Sequence, residues 1–271
     1  MGHQAIAPGK IGVVTGAALG IGRAFARRFV QEGMKVALLD IDAEHLNEAR
    51  TEIGGDTDGI LCDVAEIEAL EHARDRIART FGGAPSVLVN NAVTRIGRGL
   101  DAPLADWRRA IDINVMGVVN GVRAFLPSMK DQGDPGLIIN AGSKQGITNP
   151  PGHPVYNMAK SAVKTYTECL QHELRQDPAC QVSAHLLVPG WTTTGLNDPK
   201  PGAWMPDQVV GYMLDALERH SFYVICPDGE VTEKMDHARI AWAAGDIVED
   251  RPPLSRWHPE WQETYARQER R

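Results

Sequence analysis

A glycine-rich turn between an apolar run and a helical pattern constrains the fold of this chain more than any other feature. The run at residues 10–15 is typical of a buried strand, and apolar residues at helical spacing follow the turn as far as Val30. The turn reads Gly16-Ala17-Ala18-Leu19-Gly20-Ile21-Gly22. Its glycines permit a tight bend and a close approach of the backbone to a ligand. Free N–H groups and the helix dipole favour a pyrophosphate there, so the segment predicts a dinucleotide-binding turn with a variant G-x-x-x-G-x-G spacing.

The second predicted strand, at residues 35–40, ends in the carboxylate of Asp40. An acidic side chain at this point accepts hydrogen bonds from the adenosine ribose and repels a 2′-phosphate. Ile41 follows, and the glycine turn contains no arginine or lysine that could bind such a phosphate. The sequence therefore predicts NAD rather than NADP as the cofactor. In an alternative interpretation Asp40 caps the helix that begins near Ala43, a role that Asp42 can fill instead.

Apolar runs of strand length alternate with amphipathic helical patterns along most of the chain. This alternation is typical of an α/β fold with a doubly wound, mostly parallel sheet and helices on both faces. Six strands are predicted to end near Thr15, Asp40, Cys62, Asn90, Asn140 and Val188, and a seventh is predicted at residues 222–226. A chain of 271 residues is long enough to bury the core of one such domain.

Tyr156 and Lys160 stand four residues apart in a segment with a helical pattern. Residues at this spacing share one face of a helix, so both side chains can reach the same small volume. A free tyrosine, with a pKa of about 10, is a poor base at neutral pH. A fixed positive charge nearby favours the phenolate. The pair thus predicts a tyrosine that acts as a general acid or base toward an alcohol or a ketone.

Further elements, in the same order and at similar spacing, resemble those of the short-chain dehydrogenases/reductases of the compact, single-domain branch. The resemblance runs from about residue 10 to residue 224. Beyond the turn, the matching elements are Cys62-Asp63-Val64, Asn90-Asn91-Ala92, Asn114, Ser143, Tyr156, Lys160 and the segment 189–194. Val93 departs from the pattern, because the family has glycine at that position. The resemblance implies a seven-stranded Rossmann sheet and an oxidoreductase that interconverts secondary alcohols and ketones.

The resemblance implies catalytic roles for four residues, namely Asn114, Ser143, Tyr156 and Lys160. Tyr156 would take the proton of the alcohol as hydride leaves for the cofactor, and would return it in ketone reduction. Ser143 would bind the substrate oxygen and stabilise its developing charge. Lys160 would favour the phenolate and bind the nicotinamide ribose. Asn114 would hold a water that links Lys160 to solvent.

The resemblance also implies which residues bind NAD. They lie in the turn, at strand ends, in the catalytic pair and after the sixth strand: Gly16, Leu19, Gly20, Ile21, Gly22, Asp40, Asp63, Val64, Asn90, Ala92, Tyr156, Lys160, Pro189, Gly190, Thr192 and Thr194. A homotetramer is implied as well, in which the helices that carry Asn114 and Tyr156 pack against their symmetry mates. The apolar residues of the Tyr156 helix cover more arc than one core-facing stripe requires, which supports this assembly.

Two regions distinguish this chain from the common pattern. We expect a single domain over residues 1–271, with a core at about 10–226, a substrate loop at about 191–206 and a C-terminal extension at about 227–271. In and near the loop, Trp191, Trp204 and Met205 are predicted either to wall an apolar pocket or, as aromatic loop residues often do, simply to pack. Arg95 is predicted to meet either an anionic group of the substrate or solvent.

The extension is rich in aromatic residues. Residues 235–244 are predicted to be helical, and residues 251–261 to be extended. Trp257 and Trp261 are costly to leave exposed, so we expect them to pack against their own domain or a neighbouring subunit. An unstructured terminus is the alternative, since chain ends are often poorly ordered.

Composition excludes several other classes of function. The formal net charge of −7 and the isoelectric point near 5.7 argue against nucleic acid as a partner. No apolar run approaches the roughly eighteen residues of a membrane span, and no apolar signal core is present near residue 1. Four cysteines and nine histidines show no metal-ligand spacing, so we expect no metal site, and unpaired cysteines are typical of a reducing cytoplasm.

The leading interpretation is an NAD-dependent alcohol dehydrogenase or ketone reductase that acts on a small molecule. One alternative is a dinucleotide sensor or scaffold that keeps the fold without turnover. The presence of Ser143, Tyr156 and Lys160 together argues against that alternative. Another is a sugar-nucleotide epimerase or dehydratase on the related extended fold, which the absence of a second substrate domain and the spacing of the glycine turn disfavour.

Overall fold

Seven runs rich in valine, isoleucine and leucine form one sheet in the computed structural model, which describes residues 3–195, 200–229 and 231–269. The strands are β1 (Ile11–Thr15), β2 (Lys35–Asp40), β3 (Thr57–Leu61), β4 (Val87–Asn90), β5 (Gly136–Ala141), β6 (Val182–Val188) and β7 (Tyr223–Ile225). Their order across the sheet is β3-β2-β1-β4-β5-β6-β7, and all six pairings are parallel. The strand order reverses between β1 and β4, which opens a crevice at their carboxyl ends.

Helices cover both faces of this sheet with their apolar sides. They are α1 (Gly20–Gln31), α2 (Ala43–Ile53), α3 (Ile67–Phe81), α4 (Leu104–Ile111), α5 (Gly117–Asp131), α6 (Gln145–Thr148), α7 (Pro154–Gln176), α8 (Pro206–Glu218), α9 (Glu233–Val248) and α10 (Gln262–Glu269). One core cluster joins α1, α2 and α8 to the sheet and contains Phe25, Phe29 and Met213. Another joins α3, α5 and α7 to the opposite face and contains Leu70 and Phe125. The predicted doubly wound α/β fold with a seven-stranded Rossmann sheet is therefore confirmed.

The ends of the elements follow local signals closely. Asp42 caps α2, because its carboxylate accepts a hydrogen bond from the backbone N–H of His45 at 3.1 Å. The alternative in which Asp40 caps this helix is therefore wrong. Strands β3 and β5 end within one residue of their predicted ends, at Leu61 and Ala141. Among the described helices, none combines the length and the apolar character that a transmembrane span requires.

The C-terminal extension folds around a buried tryptophan. The ring of Trp242 packs edge-on against Trp261 and Tyr265, and its indole N–H donates to Ser255 Oγ at 2.8 Å. The predicted helix at 235–244 lies inside α9. The predicted extended conformation of 251–261 is wrong, because Leu254 adopts a left-handed conformation (φ 57°) and two 3₁₀ turns follow it. The extension also contacts the rest of its domain, because Asp236 of α9 pairs with Lys144 at 2.6 Å.

Candidate active site

The residues of the predicted catalytic pair meet at a cavity with a volume of about 690 Å³. Ser143 reaches it from the loop after β5, whereas Tyr156 and Lys160 reach it from the first turns of α7. Pro154 at the start of α7 fixes where the helix begins, because proline suits the first helical turn. The helical spacing of the pair, predicted from the sequence, therefore places both side chains beside the same space.

Lys160 is a buried cation with a defined partner. Its side-chain Nζ donates to the carbonyl oxygen of Ala141 at 2.7 Å and lies 5.8 Å from the centroid of the Tyr156 ring. Burial lowers the pKa of Lys160, and the nearby Arg95 acts in the same direction, whereas Tyr156 opposes the shift. The ammonium is thus held at a fixed place next to the phenol, where a positive charge favours the phenolate.

The hydroxyl groups of the site are free to meet a ligand. Within the described parts of the chain, no hydrogen bond involves the Tyr156 hydroxyl, although the residue is buried. Ser143 Oγ accepts a hydrogen bond from the backbone N–H of Gln145 at 3.2 Å, which leaves its own proton available for donation. The guanidinium of Arg95 lies 5.0 Å from the Tyr156 ring centroid and 5.7 Å from that of Trp191. Both hydroxyls are therefore available to a ligand in this cavity.

Asn114 lies behind the cavity rather than in its wall. It sits in a π turn, Asp112–Met116, where its side chain is fully buried. Its Oδ1 accepts from the backbone N–H of Thr94 at 2.9 Å, and its Nδ2 donates to the Thr94 carbonyl at 3.0 Å. Asn114 thus fixes the segment that brings Thr94 and Arg95 to the cavity. Its predicted role in a water relay stays a prediction.

The glycine turn has the form of an anion cradle. Gly16 has a positive φ of 64°, and a side chain on Gly22 would place its Cβ 2.0 Å from the Gly16 carbonyl oxygen. Leu19 occupies the N-cap position of α1 without a side-chain hydrogen bond, and the first turn of α1 has no acidic residue. The first N–H groups of α1 thus have no side-chain cap in the described structure. The residues present therefore fit a dinucleotide pyrophosphate at this point.

Asp40 ties the glycine turn to the second strand. One carboxylate oxygen accepts from the backbone N–H of Ala18 at 2.9 Å, and the other from that of Asp42 at 3.1 Å. A carboxylate oxygen can accept more than one hydrogen bond, so Asp40 keeps capacity for ribose hydroxyls. Asp40, which is predicted to bind the cofactor, thus also stabilises the conformation of the glycine turn.

The remaining residues predicted to bind the cofactor fall into separate places. Those that line the cavity are Ile21, Pro189, Gly190, Thr192 and Thr194. Gly20 packs against one of them, because a Cβ on Gly20 would meet the Thr194 side chain at 2.8 Å. Asp63 lies outside the cavity wall and accepts a hydrogen bond from Arg109 at 2.6 Å, and the neighbouring Val64 is buried. The described structure thus brings the predicted cofactor residues after β6 together at the cavity. It leaves Asp40, Asp63 and Val64 away from them, at the ends of β2 and β3.

Asn90 and Asn91 point in different directions. The Asn90 amide donates to Asn140 Oδ1 at 2.9 Å, and the Asn140 amide donates to Thr167 at 3.0 Å, in the interior behind the sheet end. Asn91 lines the cavity instead, and its amide donates to the carbonyls of Thr15 and Gly16, each at 3.1 Å. The side chain of Asn90 therefore serves the core. Asn91 belongs to the motif that matches the family, but no role was predicted for it. Its position beside Ala92, a predicted cofactor residue, could have indicated one.

The extension supplies a wall of the cavity that sequence reasoning missed. Asp228, Asp236, Arg239, Ile240, Arg256 and Trp257 all line it. Lys144, next to Ser143, forms ion pairs with Asp236 at 2.6 Å and with Asp228 at 3.4 Å. Of these features, only the packing of Trp257 was predicted. The ion pairs of Lys144 were not, because nothing local in the sequence relates residue 144 to residue 236.

The described residues contain no group of three or more side chains suited to a metal ion.

The predicted apolar wall of the substrate loop is only partly present. Trp191 lines the cavity, but the ring of Trp204 packs against Tyr212 at 5.6 Å and joins the core cluster under α8. Met205 is exposed at the start of α8. Trp204 therefore follows the alternative of simple packing, because the backbone pairs residue 204 with residues 191 and 193 and turns its ring inward. A pocket role for Met205 is wrong. Part of the predicted loop, 196–199, lies outside the described residues.

Comparison with known proteins agrees with this geometry. A family model described as short chain dehydrogenase matches residues 10–202. A short-chain type dehydrogenase/reductase of Sinorhizobium fredii, y4mP, is 33% identical over 221 residues, which cover 77% of this chain and 85% of that protein. The chain belongs to the short-chain dehydrogenase/reductase family, and the resemblance inferred from its motifs is confirmed.

Other relatives delimit the similarity. The oxidoreductase SadH of Mycobacterium tuberculosis is 37% identical over 169 residues, so this chain spans 61% of the length of that relative. Among solved structures, a short-chain dehydrogenase/reductase of Burkholderia phymatum in complex with NAD has a TM-score of 0.84 at 29% identity, over 93% of this chain and 98% of that one. A short-chain type dehydrogenase/reductase of Mycobacterium marinum has a TM-score of 0.74 at 28% identity, over 85% and 98%.

Proposed function

We propose that this protein is an NAD-dependent oxidoreductase that interconverts a secondary alcohol and a ketone. One observation carries the proposal: the unengaged hydroxyl of Tyr156 lies at a cavity that Ser143 and the buried Lys160 also line. When bound, NAD accepts or supplies the hydride, and the protein positions the reacting groups and excludes water. The NAD complex of the Burkholderia phymatum relative supports this choice of cofactor.

The residues of the site have distinct roles in this reaction. In oxidation, Tyr156 takes the proton of the substrate hydroxyl, and in reduction it returns that proton to the ketone oxygen. Ser143 donates a hydrogen bond to the same oxygen and stabilises its charge as it develops. Lys160, held by the Ala141 carbonyl, stabilises the phenolate form of Tyr156. Asn114 positions the segment of Thr94 and thereby one wall of the site.

The crevice would hold the cofactor at two ends. The start of α1, with its uncapped N–H groups, would hold the pyrophosphate, and Asp40 would accept hydrogen bonds from the adenosine ribose. Thr192 and Thr194 lie at the other end, on the side of the cavity near Tyr156. This arrangement favours NAD over NADP, because Asp40 repels a 2′-phosphate.

Replacement of Tyr156 by phenylalanine tests the catalytic assignment. We expect Tyr156→Phe to lower kcat by at least about 100-fold, since general acid–base catalysis contributes on the order of 10²–10⁴. NAD affinity, measured by calorimetry, should stay within about twofold, because the ring remains in place. Activity is followed as NADH absorbance with a panel of secondary alcohols.

Tyr166→Phe is the matched control, because Tyr166 lies on the same helix in contact with the core and not with the cavity. It should keep normal turnover. Activity of Tyr156→Phe within a few-fold of the parent protein would contradict the assignment. Normal NAD binding without NADH production from any alcohol or NADH consumption by any ketone would favour the non-catalytic sensor.

The proposed assembly is a homotetramer in which the Asn114 and Tyr156 helices meet their symmetry mates. Exposed apolar side chains on these elements, Met116 and Met158, support the proposal. The proposed location is the cytoplasm, because all four cysteines are unpaired. Light scattering at micromolar concentration should give a mass near four chains, and a clean monomer would contradict the assembly.

A further inference from the structure

The cavity is positively charged in a protein whose net charge is negative. Two carboxylates line it, Asp228 and Asp236, and five cationic side chains line it: Arg95, Lys144, Lys160, Arg239 and Arg256. The described wall therefore has a formal excess of three positive charges, against −7 for the whole chain. A concave site lined by one sign of charge attracts ligands of the opposite sign.

Most of these cations already have partners. Lys144 pairs with Asp236 and Asp228, Lys160 donates to a backbone carbonyl, and Arg239 pairs with Glu269 at 3.3 Å. Arg95 and Arg256 differ, because no carboxylate in the described ranges lies within 4.0 Å of either guanidinium. Arg95 is exposed and lies over the Tyr156 ring, so the partly buried cation without an anion is Arg256. Its contacts are the rings of Trp257 and Tyr265, at 4.9 Å and 5.2 Å.

Arg256 is also half-buried, which makes an unpaired charge costly. Burial, and then the neighbouring Arg239, lower the pKa of Arg256. Two carboxylates act on it from a distance, but Asp236 is engaged by Lys144 and Glu269 by Arg239. A half-buried guanidinium without an anion leaves part of its desolvation cost uncompensated. An anionic ligand would supply the missing partner.

The surroundings of Arg256 indicate what kind of ligand fits. Trp257 and Ile240 line the same wall and offer apolar surface to the body of a ligand. A planar guanidinium matches a carboxylate in a bidentate geometry. The nearby negative charges of Asp236 and Glu269 favour a singly charged group over a phosphate dianion.

We propose that the substrate is a keto acid or hydroxy acid, with its reacting oxygen at Tyr156 and its carboxylate bound by Arg256 of the C-terminal extension. Ile240 and Trp257 contact the chain or ring between the two ends. The extension is therefore a specificity element of the site. This inference rests on the proposed function for the reacting end, but the carboxylate subsite can be tested by binding alone.

The test measures ligand binding to the 271-residue protein with oxidised NAD by calorimetry, because a ketone cannot be reduced without NADH and therefore binds without turnover. The probes are 4-oxopentanoate, 4-acetylbenzoate and 7-oxooctanoate, which place the ketone and the carboxylate at increasing separation. Each acid is compared with its neutral primary amide. We expect at least one acid to bind at least about tenfold more tightly than its amide, a difference of about 1.4 kcal/mol.

Variants of Arg256 assign this preference. Arg256→Gln should remove it by weakening the acid about tenfold while the amide changes less than about twofold, and Arg256→Lys should retain part of it. Arg267→Gln is the matched control, because Arg267 lies on α10 of the same extension and is largely exposed. Circular dichroism and melting curves confirm that each variant is folded. If Arg256→Gln does not fold, the contrast between Arg256→Lys and the parent decides.

Several results would overturn the proposal. Equal affinity for acid and amide in every pair would do so, as would an acid preference that survives Arg256→Gln. Loss of that preference in Arg95→Gln instead would place the carboxylate beside Tyr156. Tighter binding of 4-acetylphenyl phosphate than of 4-acetylbenzoate would contradict a carboxylate. Failure of the redox proposal is separate, because it would appear as acid binding without turnover.

Discussion

Lys144 joins the loop of Ser143 to the C-terminal extension, and its replacement by methionine should destabilise the protein strongly. Its Nζ lies 2.6 Å from Asp236 and 3.4 Å from Asp228, and both carboxylates are at most 7% exposed. In Lys144→Met both carboxylates would lose the cation that pairs with them. Removing one partner of a buried ion pair costs about 3–5 kcal/mol, so we expect a loss of free energy of unfolding in that range.

The opposite replacement, Asp236→Asn, should cost clearly less than Lys144→Met, because it leaves no unpaired carboxylate at this position. Burial raises the pKa of Asp236 even though Lys144 lowers it, which means that the charged form of this carboxyl is disfavoured in the fold. The variant also leaves Lys144 with Asp228 as a partner. Lys144→Met should therefore cost less in the Asp236→Asn background than alone, by an interaction energy of about 1–3 kcal/mol.

Urea unfolding of the four proteins of this double-mutant cycle measures these free energies. Lys164→Met is the matched control, because Lys164 pairs with Glu168 at 2.8 Å on the surface of α7, where an ion pair contributes at most about 1 kcal/mol. A carboxyl such as Asp236, whose pKa is higher in the folded than in the unfolded state, stabilises the fold at pH values below its unfolded-state pKa. This contribution to stability is lost as pH rises through the folded-state pKa. The defect of Lys144→Met should thus shrink toward low pH.

Two results would refute this reasoning. One is a cost of Lys144→Met no larger than that of Lys164→Met. The other is a cost of Asp236→Asn equal to that of Lys144→Met, which would mean that Lys144 rather than the pair of carboxylates needs compensation. In the first case the ion pairs would not hold the extension to the cavity.

Three further predictions concern the cofactor turn and the core. The parent protein should prefer NAD over NADP in kcat/KM by at least about tenfold, and Asp40→Asn should reduce this preference. A parent protein that prefers NADP would contradict the role of Asp40. Gly22→Ala should lower the melting temperature and abolish NAD binding, since its Cβ would lie 2.0 Å from the Gly16 carbonyl oxygen. Gly211→Ala is the control and should do neither, because there is open space around its Cβ. Burial lowers the pKa of His185 from 6.5, so its contribution to stability is present above pH 6.5 and is lost as pH falls through the folded-state pKa. Melting curves between about pH 7.5 and about pH 5 should therefore fall more steeply for the parent than for His185→Asn, and parallel curves would show that His185 does not titrate in this way.

The parts of the fold that depend on neighbouring residues were predictable from the sequence. The strand, glycine turn and helix at residues 10–31 follow from local spacing, because backbone conformation and helix capping act over a few residues. The Tyr156 and Lys160 side chains share a face for the same reason. Alternation of strands with helices was enough to predict a parallel, doubly wound sheet, since parallel strands need a crossover helix.

Tertiary structure alone decided where individual side chains lie once the elements had packed. Asn90 and Asn91 are adjacent in one motif, yet one bonds in the core and the other lines the cavity. Trp204 packs against the core because its backbone pairs with residue 191. Local pattern cannot predict such outcomes, because they depend on contacts between distant segments.

The charged wall of the cavity is the clearest case. Lys144 meets Asp236, and Arg256 stands near Arg239 and Asp236, only because the extension folds back over the carboxyl end of the sheet. The sequence by itself determined a dinucleotide-binding fold and a tyrosine–lysine pair, which local geometry controls. Only the tertiary structure decided which charges surround that pair, since electrostatic interactions depend on distance in space and not on separation along the chain.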